Sequence, residues 1–523
     1  MSQRAVGASP NRAAARRPGL PLAVPPALRP VIRAYVLGYA SAVAPRLLTL
    51  AVQHVLKLRR NSAQLLPADP EDEPTFLVGA RHILRSGFDP QRFPTFCAVL
   101  VAGTSLLHKP LDKVIASLGA KLSETSRLRL ARFLCSFLAG WFGLKLLHSK
   151  GTAPRRHSTA RRTKREEEVR CRQMAGRTID LTLFAATRAA DVIVGELWAQ
   201  RRSRRQLANK WTKVSPPPQF PVLSYFPPHS NSTTAQAEAF TQYMADPLVF
   251  VSSCALIMWS WFYYPDSLPR GYQKWITSAA QVDTRLIEAL RRFHFGALVY
   301  GRETGQAGLV GDMCDDYGLP RRWGDPVTQI PLPCEIVHMG CGPSCEYHAL
   351  SRFVRSWKWS MYTYLPLALA LQLRKTSSSA PAARRALLHA LSSAARSSAF
   401  LACYITLFYY GVCLARSRVG PLLLGTSTPT RQLLDAKLCV GTGCFLCGWS
   451  VLVETAGRRK DMGLFVAPRA LGTLVPRQYP KEKQWRETLV FAASTAVVFT
   501  CVLENPRRVR GVLGGVLGYV LKE

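Results

Sequence analysis

Apolar runs separated by basic and proline-rich blocks set the pattern of this chain. The strongest cover residues 128–147, 247–264, 399–414, 436–453 and 488–503. A helix needs about 20 apolar residues to cross a bilayer, so each predicts a spanning segment or most of one. Within 128–147 the uncharged core, residues 133–144, is short, so Arg132 and Lys145 must reach back toward the headgroups. Run 247–264 ends in Trp259, Trp261, Tyr263 and Tyr264, the aromatic belt expected at an interface. Weaker runs lie at 31–56, which carries Arg33, Arg46 and His54, and at 76–83, 93–107, 462–475 and 512–521. Residues 352–364 mix Phe353, Trp357, Trp359, Tyr362 and Tyr364 with Arg352, Arg355 and Lys358, which predicts a helix lying among headgroups before 365–373 enters the membrane. The fold class expected is all-α, a polytopic α-helical membrane protein with two related multi-helix modules.

The relation between the modules is visible as an internal repeat. F-L-A-G-W at 137–141 returns as F-L-C-G-W at 445–449, and D-L-T-L-F-A-A-T-R-A at 180–189 as D-M-G-L-F-V-A-P-R-A at 461–470. L-V-F at 248–250 recurs at 489–491, each copy closed by a proline (Pro265, Pro506) with R-G shortly after. Repeated units of this kind build transporters, with function at the repeat interface. The repeat also aligns unusual charges, Asp180 with Asp461 and Arg188 with Arg469, and within each copy the Asp and the Arg lie about two turns apart on one helix face. An ionisable group in an apolar span is costly unless paired or hydrated, so these four either line a polar cavity or sit near helix starts at the interface. Basic sequence flanks 178–198 on both sides, which predicts a tilted, re-entrant or interfacial helix. Ser136, Gly140 and Gly143, with Gly448 in the second copy, offer close helix packing.

Composition sharpens the class. The 523 residues are 48% hydrophobic with mean hydropathy +0.02, and 69 Lys+Arg against 32 Asp+Glu give a net charge of +37. The basic residues cluster between apolar runs instead of alternating with aromatics, which favours positive loops of a membrane protein over a nucleic-acid surface. The partners implied are the lipid bilayer, anionic lipid headgroups and a second copy of the chain as a homo-oligomer, with no nucleic acid. Residues 1–30 lack an apolar stretch followed by a small-residue cleavage site, so no cleavable secretory signal is expected. The organisation expected is a basic Pro/Ala-rich arm and interfacial helix (1–70), a first membrane module (75–275) with a basic loop (150–177), and a polar loop subdomain (276–332). A Cys/His-rich segment with its interfacial helix (333–375) and a second membrane module (397–523) complete the chain.

Fourteen cysteines are too dispersed for a disulfide scaffold. Nine of them, Cys413 among them, lie in apolar runs as small packing residues. The concentrated chemistry is at 333–348, P-C-E-I-V-H-M-G-C-G-P-S-C-E-Y-H. Cys334, His338, Cys341 and Cys345, with His348, supply enough soft ligands for zinc, although zinc frameworks ordinarily use two separated ligand pairs. A disulfide (Cys334 or Cys341 with Cys345) and a plain turn at the membrane surface are the other readings. No cofactor is otherwise expected. No distant His/Asp set supports a cysteine nucleophile, and residues 441–448 do not have the spacing of a phosphate-binding loop, so no enzyme is expected.

The run C-E-I-V-H…P-S-C, its aromatic continuation, Y-L-P-L-A-L-A-L and the closing R-K resemble the N-terminal cysteine-rich region of the transmembrane protein 135 family. G-W-S-V-L-V-E, R-R-K-D-M-G-L-F-V-A-P-R-A and R-G-V-L-G-G-V-L-G-Y-V resemble family sequence C-terminal to that region, and the first half of this chain is similar to the family's second half. The resemblance covers most of 75–523 in an order swapped between halves. It marks Cys334, Glu335, His338, Pro343, Ser344 and Cys345, to which this chain adds Cys341 and His348. It implies a non-enzymatic multi-pass membrane protein of peroxisomes or mitochondria, linked to organelle dynamics and lipid homeostasis. The helix–basic turn–helix blocks are also remotely similar to the mitochondrial inner-membrane protein-translocase family. A transporter or translocase-like channel, and a metal- or redox-responsive membrane adaptor, are the alternative functions.

Overall fold

A computed structural model describes residues 25–63, 76–117, 123–149, 174–212, 232–373 and 380–522. The basic arm up to residue 24, the loop 150–173 and the proline-rich linker 216–228 lie outside the described residues. The rest is almost wholly helical; the described strands are a two-residue pair, β1 (Met174–Ala175) against β2 (Tyr479–Pro480).

Five helices precede β1: α1 (Arg29–Ala63), α2 (Phe76–Gly87), α3 (Phe93–Leu106), α4 (His108–Ser117) and α5 (Glu124–His148). Two long ones come next, α6 (Ile179–Thr212) and α7 (Ser232–Tyr263). Short helices α8 (Arg270–Ala280), α9 (Thr284–His294), α10 (Ala307–Asp316) and α11 (Cys334–Val337) build a small subdomain under the end of α7. The second half holds α12 (Cys345–Leu373), α13 (Ala380–Cys413), α14 (Gly420–Leu424) and α15 (Thr428–Leu433). It ends with α16 (Cys439–Cys447), α17 (Ala456–Leu474), α18 (Gln484–Glu504) and α19 (Gly511–Val520).

Six helical segments among the described residues are long and apolar enough to cross a membrane: Pro26–Val55, Glu124–His148, Tyr243–Tyr263, Pro381–Leu424, Thr428–Val453 and Lys481–Glu504. They keep large apolar side chains on the outside, such as Phe142, Leu248, Phe445 and Leu489. A protein surrounded by hydrocarbon gains nothing by hiding these groups, so an all-α polytopic membrane protein is the fold this chain adopts. The charged helix α6 is continuous through Asp180, Arg188, Asp191 and Glu196 and lies outside the set of six.

The helices that carry the recurring motifs pack crosswise between the two halves of the chain. The F-L-A-G-W helix α5 packs on α18, which carries the second L-V-F, whereas the F-L-C-G-W end of α16 packs on α7, which carries the first. Likewise α6 lies on α18, and α17 lies on α7. The contacts fall at matching positions. A Cβ added at Gly140 would stand 3.0 Å from the Ala492 Cα, and one added at Gly448 would stand 2.6 Å from the Val251 Cα. Ala492 and Val251 each lie three residues after the leucine that opens their L-V-F copy. Small residues at both crossings let the backbones approach this closely, as the small-residue pattern predicts for membrane helices. Gly143 serves the neighbouring contact, against Phe96 and Leu100 of α3, and Ser136 is buried beside it on α5.

The subdomain at 265–333 consists of short helices packed around an apolar core. Leu298, Val310, Met313, Cys314 and Leu332 are buried in one core with Trp261, Phe262 and Tyr263 of α7. Its acidic cluster is matched by arginines: Asp312 and Asp315 by Arg321, Asp283 and Asp316 by Arg285. Asp312, Asp315 and Asp316 are paired and about half-exposed, a solvated surface feature, while Asp283 is largely buried.

Candidate functional site

The Cys/His segment folds back on itself because its backbone reverses at three left-handed residues. Met339, Gly340 and Gly342 have φ of 53°, 77° and 87°, values that glycine adopts freely and that a β-substituted residue adopts at a cost. One turn of helix, α11, precedes the reversal, with the His338 N–H donating to the Cys334 carbonyl at 2.8 Å. After it, Ser344 caps α12 by accepting from the Tyr347 N–H at 3.2 Å, and Pro343 stands exposed between. The reversal lays His338 against the first turn of α12, where its ring stacks on His348 with centroids 4.6 Å apart.

Both imidazoles are fully buried. His338 Nδ1 lies 2.7 Å from the Gly342 carbonyl oxygen and donates to it. The other ring nitrogen, Nε2, faces the Cys413 Sγ at 3.5 Å. The ligand atoms of His338, Cys345 and Cys413 all lie within 4.8 Å of one another. Cys334 flanks them: its thiol borders those of Cys345 and Cys413, and lies 2.8 Å from Ser417 Oγ. Burial pushes the Cys345 thiol up from its usual range, with Cys334 adding to the effect. Burial first, then His338, Arg352 and Arg355, push His348 down to about 3, so its ring is neutral; neither of its nitrogens has a hydrogen-bond partner. Cys341 points elsewhere, 3.3 Å from the Arg355 guanidinium and 3.9 Å from Ser351 Oγ. Glu335 is half-buried and outside the cluster, its carbonyl accepting from the Gly340 N–H.

All thirteen described cysteines are free thiols. Three of the clustered residues, His338, Cys345 and Cys334, were therefore evident in the sequence, together with one, Cys341, that the fold turns away. Cys413 was not, because it reads as a packing residue in an apolar run. The one signal for it is position: Cys413 closes α13 just before the charged stretch R-S-R.

That stretch forms a π-helical turn, Leu414–Val419, and faces a second one, Leu434–Leu438. Such turns widen a helix locally and recur at functional sites. Here they bring together a fully enclosed ion pair. Arg416 meets Asp435 at 2.6 Å and 3.0 Å, and both side chains are at most 6% exposed. The guanidinium also donates to the Leu332 carbonyl at 2.5 Å and lies 3.9 Å from the Cys334 Sγ. Tyr300 donates to Asp435 at 2.5 Å, and its phenol is raised by burial and by Asp435. The pair thus fastens the subdomain and the Cys/His segment to two spans.

The repeat charges take three different places. Arg188 is buried: it donates to the Arg510 carbonyl at 3.3 Å and packs over the Phe184 ring. Asp461, from the other copy, accepts from the Val512 N–H at 3.3 Å beside it, and Arg510 bridges to Asp191 and Asp246. Arg188 and Asp461 therefore meet at the start of α19. Asp180 instead pairs with Arg477 at 3.3 Å. Arg469 stacks on the Phe465 ring at 3.8 Å and lies 5.5 Å from the Tyr272 ring. Phe465 and Tyr272 border an apolar cavity of about 470 Å³ between α7, α8, α13 and α17, lined by Phe250, Met258, Trp261, Phe400 and Ile405 among others.

No family model, no curated protein and no solved structure matches this chain.

Proposed function

We propose that this chain is a non-enzymatic protein of a peroxisomal or mitochondrial membrane that holds the acyl chain of a lipid and serves lipid homeostasis and organelle dynamics. The observation that carries the lipid part is the cavity. Its roughly 470 Å³ lie within the range of small-molecule sites, its walls are aromatic and aliphatic, and Arg469 stands at its border as a cation for an acidic headgroup. The organelle part rests on the resemblance of residues 333–375 to the transmembrane protein 135 family. Photoactivatable fatty acids incorporated into cells expressing the chain are expected to label α7 or α13 residues of the cavity. Filling it with Ile405→Trp should cut that labelling about tenfold, the equivalent of ~1.4 kcal/mol, while the folded yield is kept. Equal labelling of both proteins would sink the lipid reading, and a tagged chain found on neither organelle would sink the localisation.

A second reading, a transporter or translocase-like channel, is favoured by the crosswise helix packing and by the charges buried where the copies meet. In proteoliposomes, Arg188→Gln or Arg469→Gln should abolish solute flux if this reading holds. Flux equal to the native protein's in both folded variants removes it.

A further inference from the structure

Independently of the lipid reading, we infer that Cys334, His338, Cys345 and Cys413 form a structural zinc site that locks the Cys/His segment to the end of α13. Three ligand atoms already lie within 4.8 Å of one another, those of His338 directly after α11, Cys345 opening α12 and Cys413 closing α13; Cys334, which opens α11, stands outside that set beside Cys345 and Cys413 and supplies the fourth ligand when it turns in on binding. Two separated strands of chain then supply the ligands, 334–345 and Cys413, so the set does not depend on one compact run. With zinc bonds of about 2.3 Å to sulfur and about 2.0 Å to nitrogen, tetrahedral geometry puts a ligating N and S about 3.5 Å apart. The His338 Nε2 to Cys413 Sγ separation is 3.5 Å.

The surroundings suit a bound cation as well as the ligands do. Gly342 accepts from His338 Nδ1 and so fixes the ring with Nε2 directed at the thiols, the arrangement that orients histidine ligands in zinc proteins. Three thiolates and a neutral imidazole leave a zinc centre with one net negative charge. The Arg416 guanidinium, 3.9 Å from the Cys334 Sγ, lies where it offsets that charge. Binding converts the three thiols to thiolates and releases their protons to solvent, so no redox partner is needed. A closed Cys3His set leaves no open coordination position, which assigns the ion a structural role. Its consequence is mechanical. The segment 333–348 touches the second module through Tyr409, Cys413, Arg416, Ser417 and Arg418, and zinc makes the contact to Cys413 a bond.

The test uses the full chain purified in detergent without chelator. Elemental analysis should find about one zinc per chain, and Co²⁺ exchanged into the site should show sulfur-to-metal charge transfer with strong tetrahedral d–d bands. Cys413→Ser and Cys345→Ser should lose the metal, and Cys341→Ser should keep it. X-ray absorption of the native protein should give three sulfurs and one nitrogen around zinc, which holds the proposal to account even if the serine variants fail to fold. A metal-free native protein overturns it, as does a Cys345–Cys413 disulfide in place of the metal, or loss of zinc in Cys341→Ser with retention in Cys413→Ser.

Discussion

Replacing Asp435 with alanine is expected to destabilise the folded protein by about 3–5 kcal/mol, the cost of leaving a buried partner charge uncompensated. Arg416 would then be a guanidinium with almost no exposure, keeping the Leu332 carbonyl and the more distant Cys334 sulfur but no carboxylate. It cannot turn outward, because the π-helical turns hold it between two spans and the subdomain. Arg416→Ala should be as damaging, since it strands the Asp435 carboxylate against the Tyr300 hydroxyl alone. The double change Arg416→Met with Asp435→Leu should recover most of the loss, because a buried ion pair is often no more stabilising than a packed apolar pair of similar volume. Thermal unfolding in detergent reads this directly. If Asp435→Ala unfolds no earlier than a surface control such as Asp312→Ala, the enclosed pair does not exist as described.

Gly448→Val is the second large effect. The added Cβ would meet backbone, the Val251 Cα, at 2.6 Å, so α16 and α7 must separate. Overpacking of this kind costs about 1–3 kcal/mol and more when the main chain cannot shift. Gly140→Val should change stability in the same direction with a smaller effect, because its Cβ meets the Ala492 Cα at 3.0 Å. Gly515→Val, where nothing lies within 4 Å, is the neutral control. The fraction of monodisperse protein after heating should rank Gly515→Val, Gly140→Val, Gly448→Val from highest to lowest. Equal values for the two interface variants and the control would show that α5 and α16 are not seated on helices of the opposite half.

The elements that could be read without coordinates are those whose signal is local. Hydrophobic length and the flanking charges marked the runs at 128–147, 247–264, 399–414, 436–453 and 488–503, and each lies within a helix long enough to span or overlaps one over nearly its whole length. The paired motifs located the glycines that both crossings use. The turn at Met339, Gly340 and Gly342 was visible as a glycine-rich interruption. What stayed hidden depends on partners distant in sequence. Asp180, Arg188, Asp461 and Arg469 align between the copies, yet they occupy three environments, because each meets partners from a different distant segment. Asp461 finds the start of α19, whereas Asp180 finds Arg477.

The stretch from Cys334 to His348 shows the division most clearly. Residue types and spacing alone gave a compact set of soft ligands, since those depend only on neighbours along the chain. Which of them converge was decided by the tertiary structure. The left-handed turn sets His338 and Cys345 on one side and sends Cys341 to the other, and the close of α13 delivers Cys413 from 75 residues away. Sequence determines the helices and their apolar faces because those are set within a few residues. The identity of the fourth partner depends on how long helices pack, and no local pattern records that.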